Sequence, residues 1–514
     1  MPRWHEGYIC DVEYTAGFMR EMTPAWLAFV ALLLGHHAPD PAGRLHIADL
    51  GCGHAITDAV VAASYPGAEV WALDFAPPHV ESGRRLAGLS GLANLHVEER
   101  SFADLARAAR GTWPEFDIVT LHGVWSWITP ATAEHVVGFI DRFLRPGGLV
   151  YVSSNTLAGW ASMLPLQRLM HGMARSGPDR ADAAAQAAVA LLLRLREGRA
   201  AFFAQNPAAA ARLDALRNAD PRYLAHEYLH AHWHPVSMGD VATALARAKC
   251  EFLGSAVITD NIIEAVVPAP LVETVKALGD PLLQEMVGDL ASARPFRRDI
   301  YRRGAGRLTV AETQDRLDRL SIAGLGQPSD PGHASDFASA QIAGRPELYA
   351  PLLERLAEGP LPLRAAMAMP CLRAASMVDV LQAFALLVSG GRAHPVLEAP
   401  AGSGAARRLN VALAGLNALG VERPLLAAPV IGSAIDADAV EVMAVGELLA
   451  GAAPDPVALT DRVGAALARA GRAVQHDGVM IADPAEARRR LAETIGGMLS
   501  GRVPVFRRLG ILDG

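Results

Sequence analysis

Cysteine is scarce in this chain. Four residues, Cys10, Cys52, Cys250 and Cys371, lie far apart in a sequence of 514, with no CxxC pair and no His-rich spacing. That excludes a disulfide framework or a structural zinc site and makes a reducing cytoplasm the expected home. Surplus positive charge is also missing. Lys and Arg total 47 against 54 Asp and Glu, a formal net charge of −7, which argues against a general nucleic-acid binder. The longest apolar runs, 25–35 and 183–193, fall well short of the ~20 residues needed to cross a bilayer. The opening Met1-Pro2-Arg3-Trp4-His5-Glu6 has no basic stretch leading into an apolar run, so neither a signal peptide nor membrane insertion is expected. Apolar residues make up 51% and charged residues 20%, which rules out a disordered or fibrous chain. At ~150 residues per domain, the length implies three or four domains.

Residues 45–154 alternate short apolar runs (46–50, 69–73, 95–97, 116–121 and 149–153) with amphipathic stretches (56–64, 78–89 and 131–144). Nearly continuous apolar strands separated by helices indicate a parallel sheet covered on both faces, a doubly wound Rossmann-like α/β domain. Residues 157–248 are rich in Ala, Leu and Arg and read as helices, including 180–199 and 207–218. Strand-like runs return at 251–258 and 299–301. The expected organisation is therefore a core of residues 45–156 and 249–304, with 157–248 as a helical insertion. Residues 1–44 precede it as a segment that could cover the site. GLGQPSDPGH marks a linker at 305–345. Residues 346–514 read as a mainly helical C-terminal domain that opens with three helices and a strand, the order of a winged helix.

The most specific chemical feature is Asp49-Leu50-Gly51-Cys52-Gly53-His54-Ala55, where the first strand turns into the first helix. Glycines there let the backbone pass close to a ligand, and the helix N-terminus offers free N–H groups. The dinucleotide fingerprint would need a third glycine where Ile56 stands. Asp49, in the strand before the loop, suits a ligand bearing an ammonium group. Asp74 ends the second strand, where a carboxylate can accept from both ribose hydroxyls. Beyond strand three, Phe102 could pack on an adenine ring and Asp104 could meet its amino group. Singly, each feature has a bland reading as a tight turn or a helix cap. Together, and with Arg145-Pro146-Gly147-Gly148 before the fifth strand, they resemble the class I S-adenosylmethionine-dependent methyltransferases.

Flanking stretches narrow the resemblance. LHGVWSWITP (121–130), YVSSNTLAGW (151–160), DPRYLAHEYLHAHWHPVSMGDV (220–241), FRRDIYRRG (296–304) and LAAPVIGSAI (426–435) are similar to bacterial methyltransferases carrying a methyltransferase regulatory domain. That group includes the rickettsial protein-lysine methyltransferases that modify outer-membrane proteins. The resemblance implies S-adenosylmethionine as cofactor, bound by Asp49, Gly51, Cys52, Gly53, His54, Asp74, Phe75, Phe102, Asp104, His122 and Gly123. It also implies the winged-helix C-terminal domain, a protein substrate such as a cell-envelope protein, and no metal. One departure is Ala55, where the loop usually carries a third glycine; alanine is tolerable there if φ stays negative.

Methyl transfer to an amine demands positioning, a dry site and loss of the amine proton. His122 is the candidate base, with Trp125 and Trp127 as an aromatic wall. Asn155 could orient the amine, and Glu227 and Tyr228 could reach in from the insertion as a lid. His230, His232 and His234 alternate without a flanking ligand and read as non-metal. Tyr8, Tyr14 and Met19, ahead of the cap pair Thr23-Pro24, could fold over the cofactor. The expected activity is methylation of a protein side chain, foremost lysine Nε, with the C-terminal half holding a large substrate or forming a homodimer. The rivals are methylation of a small molecule or peptide natural product, and a non-catalytic cofactor-binding scaffold. DNA binding is disfavoured, because the third helix of the winged-helix order (376–389) has no Lys or Arg.

Overall fold

The structure, a computed structural model, describes residues 9, 11–12, 17–176, 180–304, 306–326, 346–397, 404–421, 423–476 and 479–513. Tyr8 and Tyr14 lie outside these residues. The chain is organised on a seven-stranded sheet of β1 (His46–Leu50), β2 (Glu69–Asp74), β3 (Leu95–Glu99), β4 (Phe116–Leu121), β5 (Leu144–Asn155), β6 (Cys250–Ser255) and β7 (Phe296–Arg303). Their order is β3-β2-β1-β4-β5-β7-β6. The first five strands are parallel, and β7 runs antiparallel to both of its neighbours. The order reverses between β1 and β4, and a crevice opens beyond the carboxyl ends of strands at such a point.

The two-residue period of a strand divides the apolar side chains between two cores. Ile47, Ile118, Leu149 and Ile300 pack on one face, with α1 (Pro24–Leu33), α2 (Ile56–Ser64) and α3 (Pro77–Ser90). Ala48, Val119, Val150 and Tyr301 pack on the other, with α4 (Phe102–Arg107) and α5 (Pro130–Phe143). Every residue of β4 is buried, as a central strand covered on both faces requires.

The segment between β5 and β6 is helical, with helices at Leu164–Ala174, Ala181–Glu197, Pro207–Leu216, Pro221–Leu229 and Met238–Ala246. All but the last close around their own core of Met163, Met170, Ala185, Ala188, Leu192, Leu213 and Tyr228. The last packs against the sheet instead, through Val241 and Leu245.

The expected linker contains structure. Thr309 and Glu312 form a capping box that starts a helix at Val310–Arg319, and a strand follows at Ser321–Gly324. Loop composition in the following residues masked both elements. The new strand pairs with Leu361–Pro362 and Ala393–Pro395 in an antiparallel sheet, beside helices Pro346–Leu356, Leu363–Met367 and Met377–Ser389. Helix Gly404–Ala418 then lies against α2 and α3, where Arg408 Nε–H donates to the Ser90 carbonyl at 3.0 Å.

β7 carries a buried ion network. Arg297, 1% exposed, donates to Asp299 at 2.9 and 3.0 Å, to Asp289 at 2.7 Å and to Glu285 at 2.7 Å. Arg294 adds contacts to Asp260 at 3.2 Å and Asp289 at 3.4 Å. Burial pushes the carboxyls of Asp260, Glu285 and Asp289 up, and the guanidinium groups oppose that. Removing Arg297 leaves the acids buried without their main counter-charge. Arg297→Met is expected to cost about 3–5 kcal/mol, read by denaturant unfolding. The acids of the variant are then easier to protonate folded than unfolded. Its deficit should therefore shrink at pH 5 and grow as pH rises to 8.

Candidate active site

The loop after β1 is shaped by what surrounds it. Gly51 N–H donates to the Leu73 carbonyl at 2.7 Å. Its φ is +83°, and a Cβ there would sit 2.6 Å from Val124 Cγ2, so only glycine fits. Gly53 N–H donates to Asp74 Oδ2 at 2.9 Å and Ala76 N–H to Oδ1 at 2.8 Å. The two N–H groups fix the carboxylate plane and use two of its roughly four acceptor positions, leaving two for a diol. Ala55 departs from expectation. Its φ is +55° and its ψ 34°, the left-handed region, which costs a non-glycine residue about 1–2 kcal/mol. Hydrogen bonds from Ala55 N–H to Cys52 O and from Ala59 N–H to Ala55 O, both 3.0 Å, hold it there.

These groups open onto a cavity of about 330 Å³, a size suited to a cofactor-scale ligand. Among the expected cofactor residues, Asp49, Gly51, Cys52, Gly53, His54, Asp74, Phe75, Phe102, His122 and Gly123 all line it. Asp104 does not. Its carboxylate closes a capping box with Ser101, accepting the Ser101 N–H at 3.2 Å and hydroxyl at 2.7 Å, which lowers its pKa. A helix cap has taken the acid expected at the adenine, and its neighbours Arg100, Ser101 and Phe102 line the cavity. His79 also lines the cavity, with Nδ1 3.4 Å from Asp74 Oδ2. Sequence reading missed it, although a histidine in the first turn of the helix after the ribose acid is a usable signal.

The β4 side of the cavity is built from Trp127, Ile128, Thr129 and Thr132, with His226, Glu227, His230 and His232 from the insertion. Trp125 and Trp127 flank one 3-10 turn and part ways. Trp125 is buried in the sheet core, whereas the Trp127 ring meets His230 edge-on at 5.6 Å. Tyr228 is likewise drawn inward, 1% exposed in the insertion core with its ring 5.9 Å from Trp160, while its neighbour Glu227 faces the cavity. Asn155 is buried at the end of β5 and does not reach the cavity wall; its N–H donates to Ser126 Oγ at 2.8 Å. From the N-terminal segment, Gly17, Met19 and Met22 also line the cavity, and Met19 N–H donates to Thr57 Oγ1 at 3.1 Å.

His122 is no base. Nδ1 lies 2.9 Å from the Tyr151 hydroxyl and 3.2 Å from Ser153 Oγ. Burial, then the nearby Arg298, pushes its pKa down to about 3, so the ring is neutral near pH 7 and only weakly basic. Burial likewise lowers His226 to about 4 and His230 to about 3. Among the described residues, no group of three or more His, Cys, Asp or Glu side chains is placed to hold a metal ion, and no helix is long and apolar enough to span a membrane.

The cradle, the aligned acid, the aromatic residues Phe75 and Phe102 and the buried Asp49 fit a nucleoside bearing an amino-acid tail. The family described as "Methyltransferase domain" matches residues 48–150. The one described as "Predicted methyltransferase regulatory domain" matches residues 220–303. The chain is an S-adenosylmethionine-dependent methyltransferase. The regulatory match begins inside the insertion and runs through β6 and β7, so it includes part of the central sheet. An uncharacterized protein of Synechocystis sp. is 29% identical over 511 residues, 99% of each chain. A trans-aconitate 2-methyltransferase of Methylobacterium radiotolerans is 35% identical over 187 residues, covering 35% of this chain and 63% of the relative. The structure of PKMT2 from Rickettsia typhi in complex with AdoHcy shares the fold, with a TM-score of 0.71 at 18% identity over 98% of this methyltransferase and 100% of that chain.

Calorimetric titration with S-adenosylhomocysteine tests this cradle. Gly51→Ala should weaken binding at least about tenfold by closing the loop against Val124. Asp74→Ala should weaken it about 100-fold through lost charge-assisted hydrogen bonds.

Proposed function

We propose that this methyltransferase methylates the ε-amine of lysine in a protein, with a cell-envelope protein as the expected class of substrate. One observation carries the reading: a carboxylate, Glu227, shares the β4 side of the cavity with the Trp127 indole. An indole face and an acid together favour an ammonium or methylammonium group over a neutral or anionic acceptor. The resemblance of the flanking motifs to protein-lysine methyltransferases supports the same class, as does the size of the C-terminal half, in which three helices and a short antiparallel sheet stand where a winged helix is expected to grip a large substrate.

The bound cofactor supplies an electrophilic methyl group on a sulfonium. The chain's own residues do the rest. Asp74 would hold the ribose, Phe75 and Phe102 the adenine, and Asp49 the ammonium tail. Trp127, Ile128 and Met22 exclude water from the acceptor, and desolvation there favours the free amine over its cation. The amine proton leaves to solvent as the substrate enters, since the buried imidazoles are too weakly basic to take it.

Two results follow. Glu227→Gln should raise KM for a lysine-bearing substrate about tenfold with little change in kcat and with cofactor affinity intact. The kcat/KM profile should climb with pH toward the amine's own titration, with no limb from His122, His226 or His230. A radiolabelled-methyl screen of fractionated cell-envelope and cytosolic proteins identifies the acceptor. Label confined to small molecules would overturn the protein reading.

A further inference from the structure

Behind the ammonium side of the cavity lies an acid that the motifs did not single out. Asp58, in the first turn of α2, is 4% exposed, and its buried carboxyl neighbours that of Asp49. Its Oδ2 is buried with no hydrogen-bond partner. Asp49, 3% exposed, accepts the Thr120 hydroxyl on Oδ1 at 2.7 Å and forms part of the cavity wall. Two neighbouring buried carboxylates cannot both stay ionised without a counter-cation, and they share one proton instead.

The groups facing the pair cannot replace that proton. Asp74 faces it from β2, the Cys52 thiol from the loop and Tyr151 from β5. Burial, with these acids nearby, also holds the thiol protonated. His79 and His54, whose rings lie 4.9 Å apart, stand beyond Asp74. Burial and then Asp74 push Asp49 up to about 7, against the pull of the Thr120 hydroxyl, and burial and then Asp49 push Asp58 up as well.

We propose that Asp58 is a positioning residue for the cofactor's ammonium group: it shares one proton with Asp49, and docking of the cationic tail expels that proton to solvent. The inference rests on the S-adenosylmethionine reading of the cavity. The O–H bond of the pair breaks, the proton passes to buffer, and an ammonium N–H···carboxylate bond forms in its place. No electrons move. Asp58 acts through Asp49 rather than by touching the cofactor, since only Asp49 reaches the cavity wall.

The test is calorimetric titration of the full chain with S-adenosylhomocysteine, in buffers of different ionisation enthalpy between pH 6 and 8, on wild type and Asp58→Asn. The asparagine keeps the shape and donates an N–H to Asp49, leaving that carboxylate ionised without a shared proton. The ligand's own amino group titrates in the same range but is common to both proteins, so their difference isolates the pair. Wild type should release about half to one proton more per ligand at pH 7 than the variant. Relative to the variant, its affinity should fall about tenfold from pH 7.5 to 6. Equal proton release and parallel pH profiles would overturn the inference while leaving the cofactor site standing. Absence of binding to wild type would overturn both. Infrared difference spectra of wild type give a second reading that needs no variant. A protonated carboxyl stretch should disappear on ligand addition, and its persistence would count against the proposal.

Discussion

The turn between β1 and α2 is the constraint on which the site depends. It must bring backbone amides, an aligned acid and the start of a helix to one point, and the space for it is set by β2 on one side and Val124 on the other. Gly51 meets this with a positive φ that no other residue could hold against Val124. Asp74 completes the turn by accepting from Gly53 and Ala76, so the carboxylate proposed to hold the ribose also braces the glycine loop. The strained Ala55 shows that the surrounding fold fixes this geometry more strongly than the local residue preference does.

Burial, more than pairing, sets the electrostatics. The imidazoles of His122, His226 and His230 are neutral because they are desolvated, and the carboxyls of Asp49 and Asp58 are raised for the same reason. The cavity thus combines neutral imidazoles with the carboxyl groups of Asp74 and Glu227 in its wall. A strongly charged interior region around Arg297, outside the cavity lining, holds β7 to helix Pro281–Ser292.

The sheet was legible because each strand is short, apolar and bounded by turn residues. The parallel order, the helical insertion and the return of β6 and β7 all followed from that rhythm. The glycine loop and Asp74 were legible because their spacing is tied to strand ends. What escaped was direction. Sequence spacing cannot say which of Trp125 and Trp127, or of Glu227 and Tyr228, turns inward, since helical and 3-10 geometry send neighbours to different sides. Asp104 escaped for another reason: an acid three residues after a serine at a helix start serves equally as a cap, and the cap prevailed. The helix at Val310–Arg319 was hidden by the loop-like composition beyond it, although Thr309 and Glu312 spell out its start.

The apolar core on the α2–α3 side of the sheet does not stop where the methyltransferase fold would normally end. It continues from Ile47 and Val60 through Leu409, Leu426 and Val442 to Phe506, with Arg408 tied to the end of α3. A fragment cut after β7 would expose the greasy backs of α2 and α3 to water and should be recovered as insoluble material rather than as a miniature enzyme. The catalytic sheet and the C-terminal half are thus inherited together, and a recombination event that exchanged one for a foreign partner would have to redesign the shared seam as well.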